Sequence, residues 1–88
     1  MKTLNHYPIP HMDREFTLAF PPSATILGID YDNHNKPMLA VYLDPSDTSV
    51  NHNFHIREAG ETIHRFWEPV DNLESTGEFK TVYMERTP

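Results

Sequence analysis

The chain of 88 residues falls within the roughly 50 to 250 residues of a single domain, which excludes a second independent core. Cysteine is absent, so disulfides, thiolate catalysis, iron–sulfur clusters and thiolate zinc sites are excluded, and a reducing compartment fits. A formal net charge of -6, with only 7 Lys+Arg scattered singly from Lys2 to Arg86, supplies no basic patch to neutralise phosphates; it argues against direct nucleic-acid binding and favours a basic protein partner.

A domain of this size buries little more than about 60% of the surface its unfolded chain exposes, so its stability margin is thin. The stretch from Met1 to Pro8 has no apolar run fit for a signal peptide, and no segment is long and apolar enough to span a bilayer. The expectation is a single domain over 1–88, off the membrane and in the cytoplasm.

Eight prolines and few helix-favouring runs lean away from an all-helical fold, because proline removes a backbone donor and breaks helix interiors. The elements follow in chain order. Glu15–Phe20 alternates, with Phe16, Leu18 and Phe20 on one face, and halts at Pro21-Pro22; this predicts a half-buried strand. Ala24–Tyr31 is apolar on both parities, which predicts a central strand covered on two sides. Asp32–Pro37 supplies turn chemistry and Met38–Leu43 resumes an apolar strand, so 24–44 predicts a hairpin with Leu27 and Leu43 facing the core. Asp44-Pro45-Ser46-Asp47 predicts a turn.

Asn53–Glu58 places Phe54 and Ile56 opposite His55 and Arg57, and Glu78–Arg86 places Val82 and Met84 opposite Phe79, Thr81 and Tyr83, predicting two half-exposed strands. Between them Ile63, Phe66, Trp67 and Val70 fall at helical spacing, but Pro69 limits any helix to a turn or two; Glu61–Asn72 is expected to be a loop with at most one short helix. The fold class is therefore mostly β, with α+β as the alternative: about five antiparallel strands in a small twisted sheet, sandwich or partly open barrel.

Six histidines raise the question of a metal. His6 with His11 and His52 with His55 are the close pairs, but residues three apart in a strand point to opposite faces, and His64 follows a glycine turn. Surface and edge-strand histidines are the expected reading, with no metal and no cofactor. Asp30–His34 resembles a calcium loop only superficially, because Asn35 and Val41 stand where glycine and a bidentate glutamate are needed. Glycine occurs only at 28, 60 and 77, so no phosphate-cradling motif is present. Ser49, His52 and Asp47 compose a catalytic set only on paper, and the chain is read as a non-enzyme with no catalytic residue.

Trp67, Phe66 and Tyr83 lie in or beside the least regular part of the chain. Two readings stand: Trp67 and Phe66 plug a small barrel, which a marginal core favours, or they anchor an interface, since such contacts are enriched in aromatics and arginine. The candidate partner or ligand contacts are Phe66, Trp67, Arg57, Arg65, Tyr83 and Val82. The last belongs to the C-terminal strand, where Phe79–Met84 carries one charge and strong β-propensity; an unprotected edge is expected there, open to a second copy or to a target.

Tyr7-Pro8-Ile9-Pro10, Phe16-Thr17-Leu18, Pro21 with Ala24-Thr25-Ile26-Leu27, Lys36-Pro37 and Asp44-Pro45 together resemble a group of small phage-encoded proteins of uncharacterised function. The resemblance covers the first half well; beyond it only Phe54 with Ile56, Gly60 and the C-terminal strand keep the pattern, and a glycine-rich stretch expected after Gly60 is lacking. It implies a compact β-rich protein of a bacterial virus, acting in the host cytoplasm, and assigns no site residues. Such proteins without enzymatic equipment act by occupying a host protein, so the expected function is a non-enzymatic accessory protein that binds and modulates a host component. The alternatives are an oligomeric sponge for a nucleotide signal, with Arg57 or Arg65 lining its pocket, and, as minority readings, a DNA mimic or a virion component. A homodimer is expected alongside the host partner.

Overall fold

A computed structural model describes residues 1–10, 13–75 and 78–86; His11 and Gly77 lie outside these. Among the described residues the chain forms β1 (Thr3–Pro8), β2 (Glu15–Phe20), β3 (Thr25–Tyr31), β4 (Pro37–Leu43), β5 (Val50–Glu58), β6 (Trp67–Ser75) and β7 (Glu78–Glu85), and no helix. All pairings are antiparallel, in a three-stranded sheet ordered β1-β4-β3 and a four-stranded sheet ordered β2-β5-β7-β6. The two sheets stay open and do not close into a barrel, and they hold more strands than the five expected. The thinnest dimension, 17 Å, suits two layers packed face to face at about 10 Å.

Period-two alternation decides which side chains meet between the layers. β4 contributes Leu39, Val41 and Leu43, β5 contributes Phe54 and Ile56, and Phe20, Leu73, Val82 and Ile9 complete the buried cluster. Phe54 stacks on Phe16 with centroids 5.0 Å apart, and Phe20 stacks on His52 at 4.0 Å. The His52 Nε2 atom lies 3.0 Å from the Phe20 carbonyl oxygen; since a carbonyl only accepts, that nitrogen donates.

The β3–β4 hairpin forms as expected. Asp32 caps its turn, with Oδ1 accepting from the His34 and Lys36 amides at 2.8 and 2.9 Å, and Asn35 takes φ 61°. The Asp44 turn forms likewise, its Oδ1 accepting from the Ser46 amide at 3.0 Å. β4 is the central strand of its sheet, however, and β3 is an edge. The register slips between Ile26 and Gly28, and this bulge turns Leu27 out to 59% exposure, so Leu27 does not face the core. The expectation rested on cover over both faces of the strand; β3 is covered on one, and the bulge sets Ile29 on that face with Ile26 and leaves Leu27 on the other.

β6 takes the second half of the stretch expected as a loop over 61–72, while residues 61–66 stay outside any strand or helix. A hydrogen bond from the Arg86 amide to the Phe66 carbonyl, 2.9 Å, sets the alternation so that Glu68 bonds toward β7 while Trp67 and Pro69 turn their backbone groups to the open edge. Pro69 therefore lacks only a donor that the ladder does not use, and a proline that forbids a helix is tolerated in an edge strand. Since β6 covers it, β7 is an interior strand and its expected free edge does not exist.

The edges of β3 and β6 are tied together across the layers. Asp71 Oδ2 accepts from the Ile29 amide at 2.9 Å, and the Glu74 amide donates to Tyr31 Oη at 2.9 Å. Gly28, at φ +135°, makes room: a Cβ there would stand 2.9 Å from Asp71 Oδ2.

Chemical denaturation tests these placements. Leu43→Ala should cost about 2 to 5 kcal/mol as a buried leucine truncation, whereas Leu27→Ala should stay within about 0.5 kcal/mol as an exposed one. Gly28→Ala should destabilise by about 1 to 3 kcal/mol, because a side chain there is both strained and in the way of Asp71.

Candidate contact surface on the four-stranded sheet

With Phe54 and Ile56 committed to the core, the alternation of β5 sends His55 and Arg57 to the outer face of the four-stranded sheet. The register sets Glu15 and Tyr83 on either side of His55, and Trp67 opposite Glu85. The Trp67 indole lies flat on the His55 ring, 3.8 Å between centroids and 9° from parallel. Arg57 places its guanidinium 5.1 Å from the same indole, and Tyr83 stands 6.3 Å away. A cation over an aromatic face is worth about 0.5 to 1 kcal/mol at an exposed site and more where water is excluded.

His55 is buried beneath this lid. Its Nδ1 lies 3.4 Å from Glu15 Oε1 and its Nε2 3.4 Å from Glu85 Oε2, and neither nitrogen makes a hydrogen bond. The imidazole is thus a supporting slab that fixes the indole plane; no ring nitrogen is open to a substrate. Arg57 is equally committed: it donates to the Arg14 and Ile56 carbonyls at 3.1 and 2.9 Å and pairs with Glu15 at 3.4 Å.

The turn between β5 and β6 sets the rim. Glu61 bends back to accept from the Glu58 amide at 2.9 Å and from Arg14 Nη1 at 2.8 Å. The Arg14 bond holds the Glu61 carboxyl below its ordinary range, assisted by the Glu58 amide, and the same pair raises Arg14. His64 Nδ1 accepts from the Phe66 amide at 3.3 Å, and its ring stands 5.3 Å from Phe66 and 6.0 Å from Trp67. Phe66 is 52% exposed, with the Arg65 guanidinium 4.7 Å above its ring.

The structure therefore brings Arg57, Trp67 and Tyr83 together and sets Phe66 and Arg65 beside them. Trp67 and Phe66 do not plug the interior; they belong to the surface of the sheet and its rim. Val82 lies wholly in the core and leaves the contact set. His52 and His55 occupy opposite faces, but both are buried on an interior strand and are not surface or edge histidines. The residues alone did not single out Glu15 and Glu85, and weighed His55 only as a metal ligand; all three were within reach of the same alternation, and what was missing was β6, which brings Trp67 over β5.

Among the described residues no group of three or more His, Asp or Glu is arranged to hold a metal ion. The paper triad does not assemble: Asp47 accepts from Ser23 at 2.8 Å, while His52 faces Phe20. No protein-family model, curated protein or solved structure matches the chain.

Zinc, nickel and EDTA should each leave the melting temperature unchanged; saturable stabilisation by stoichiometric zinc would contradict this, since a ligand selective for the native state raises apparent stability. For pH, the sign follows from Glu61. A carboxyl whose folded pKa is depressed stabilises above its unfolded pKa and loses that contribution as pH falls through the folded value. Glu61→Gln should therefore lower the melting temperature at neutral pH and give a shallower decline below about pH 4 than the parent shows, as followed by circular dichroism.

Proposed function

We propose that this chain is a non-enzymatic accessory protein of a bacterial virus that binds and modulates a protein in the host cytoplasm, and that the Phe66–Trp67 face is where it makes contact. One observation carries the reading: a tryptophan held flat by a buried histidine and an arginine, bordered by an exposed phenylalanine under a second arginine. Trp, Tyr and Arg dominate the energetics of protein interfaces, and side chains already fixed before binding lose little entropy when a partner arrives. The net charge of -6 favours encounter with a basic surface.

The nucleotide-sponge alternative requires an arginine free to grip phosphate. Arg57 is engaged with two carbonyls, Glu15 and the indole, which leaves exposed Arg65, over the Phe66 ring, as the arginine that alternative would have to use.

Capture from bacterial lysate with the immobilised chain tests the proposal when the parent is compared with Arg65→Ala/Phe66→Ala and with Leu27→Ala on the other sheet. The expected result is a stoichiometric protein held by the parent and by Leu27→Ala, and bound at least about 30-fold more weakly by the double variant, the equivalent of about 2 kcal/mol at an interface hot spot. Equal capture by all three, or release of a nucleotide with no stoichiometric protein, would contradict it.

A further inference from the structure

The two sheets present four edge strands, β1, β3, β2 and β6, and three of them are blunted. β3 has its Ile29 amide occupied by Asp71 and its Tyr31 tied to Glu74. β6 carries Glu68, Pro69, Asp71 and Glu74, the charges and proline that discourage edge pairing. β2 opens on Glu15 and runs into Pro21-Pro22, and its outward side chains Glu15, Thr17 and Ala19 are exposed and mostly polar, so a strand added there gains little apolar burial.

Among the described residues β1 is the least defended, with its one proline, Pro8, at its last position. From Thr3 to Pro8 it bears no Asp, Glu, Lys or Arg. The Ile9 amide donates to the Pro37 carbonyl at 3.1 Å, in the same register that sets Tyr7 opposite Leu39, Asn5 opposite Val41 and Thr3 opposite Leu43. Antiparallel ladders alternate bonded and non-bonded pairs, so Thr3, Asn5 and Tyr7 spend their backbone groups on β4. The N–H and C=O groups of Leu4 and His6 then point away from the sheet. The Leu4 side chain is 51% exposed and opens onto Tyr42 and Leu27, exposed on the same three-stranded sheet.

We infer that β1 pairs with β1 of a second copy, joining the two three-stranded sheets into one continuous sheet across a two-fold axis at Asn5. The free groups of Leu4 and His6 are two residues apart, which makes the strand complementary to itself when antiparallel. Leu4 N–H donates to the carbonyl of His6 in the other copy, His6 N–H donates to the carbonyl of Leu4, and symmetry repeats both. Pro8, with no N–H, ends the added ladder on each side. No carboxylate of β1 meets its equivalent across the axis, and the nearby Asp30 carboxylate sits 3.3 Å from His6 Nε2. The exposed apolar strip of Leu4, Tyr42 and Leu27 becomes continuous with its mate, an argument for a second copy over a foreign strand. This contact goes beyond the Phe66–Trp67 reading: it uses the other sheet and leaves that face open on both copies.

The test combines light scattering over a dilution series with amide exchange of the parent chain at low and high concentration. The mass should double as concentration rises, and the Leu4 and His6 amides should exchange about tenfold more slowly once nine-tenths of the chain is dimeric, while the Thr17 and Ala19 amides do not change. Leu4→Lys, which adds charge to the edge, and His6→Pro, which removes an outward donor together with the Asp30 contact and no bond to β4, should both remain monomeric; Thr17→Lys on β2 should dimerise like the parent. If His6→Pro fails to fold, Leu4→Lys and the exchange pattern decide. A parent that stays monomeric at its highest soluble concentration, a doubled mass without protection at Leu4 and His6, or loss of the dimer in Thr17→Lys instead would overturn the inference.

Discussion

The packing of β4 against β5 is the constraint from which the rest of the molecule follows. With no disulfide available, apolar burial between two thin sheets must hold a small chain together, and Leu39, Val41, Leu43, Phe54 and Ile56 supply much of that burial. Once Phe54 and Ile56 face inward, His55 and Arg57 have no choice of side. The outer face of the four-stranded sheet is therefore specified by the core, through a pleat that admits only two directions.

On that outer face, burial of His55 and stacking of Trp67 are one interaction seen from two sides. A histidine with neither nitrogen hydrogen-bonded is costly to bury, and the stacked indole offsets part of that cost by ring contact. The result is an aromatic plate whose orientation is fixed before anything binds. Arg57, which would otherwise be a mobile cation, is drawn into the same assembly by Glu15 and by backbone carbonyls, and what stays free to adapt is the rim at Arg65 and Phe66.

Much of this was legible in the residues wherever alternation ran unbroken. β2, β4 and β5 and the hairpin at Asp32 follow directly from it, as does the opposite placement of His52 and His55. Where β3 and β6 were misread, the chain departs from a regular ladder, and parity does not see such departures. The slip at Gly28 set Leu27 apart from Ile29, and the helical spacing of Ile63, Phe66, Trp67 and Val70 concealed β6 because it joins two residues that precede the strand to two within it. β1 was missed for a different reason, since its inward residues Thr3, Asn5 and Tyr7 give little hydrophobic contrast with its outward ones. The hidden β6 then misplaced β7 as an edge and left Val82 among the contact residues; one unseen strand accounts for both errors, and for the two readings of Trp67, interior plug or interface anchor, that stood side by side.

The position of Trp67, the sole tryptophan, is thus where the account is most exposed, and proton–proton contacts in the nuclear Overhauser spectrum of the isolated protein measure it most directly. The expected result is strong contacts from the indole to the His55 ring and to Tyr83, with none to the Phe54 ring or the Val82 methyl groups. Strong indole contacts to Phe54 and Val82 would put Trp67 inside the sandwich and contradict the outer-face assembly.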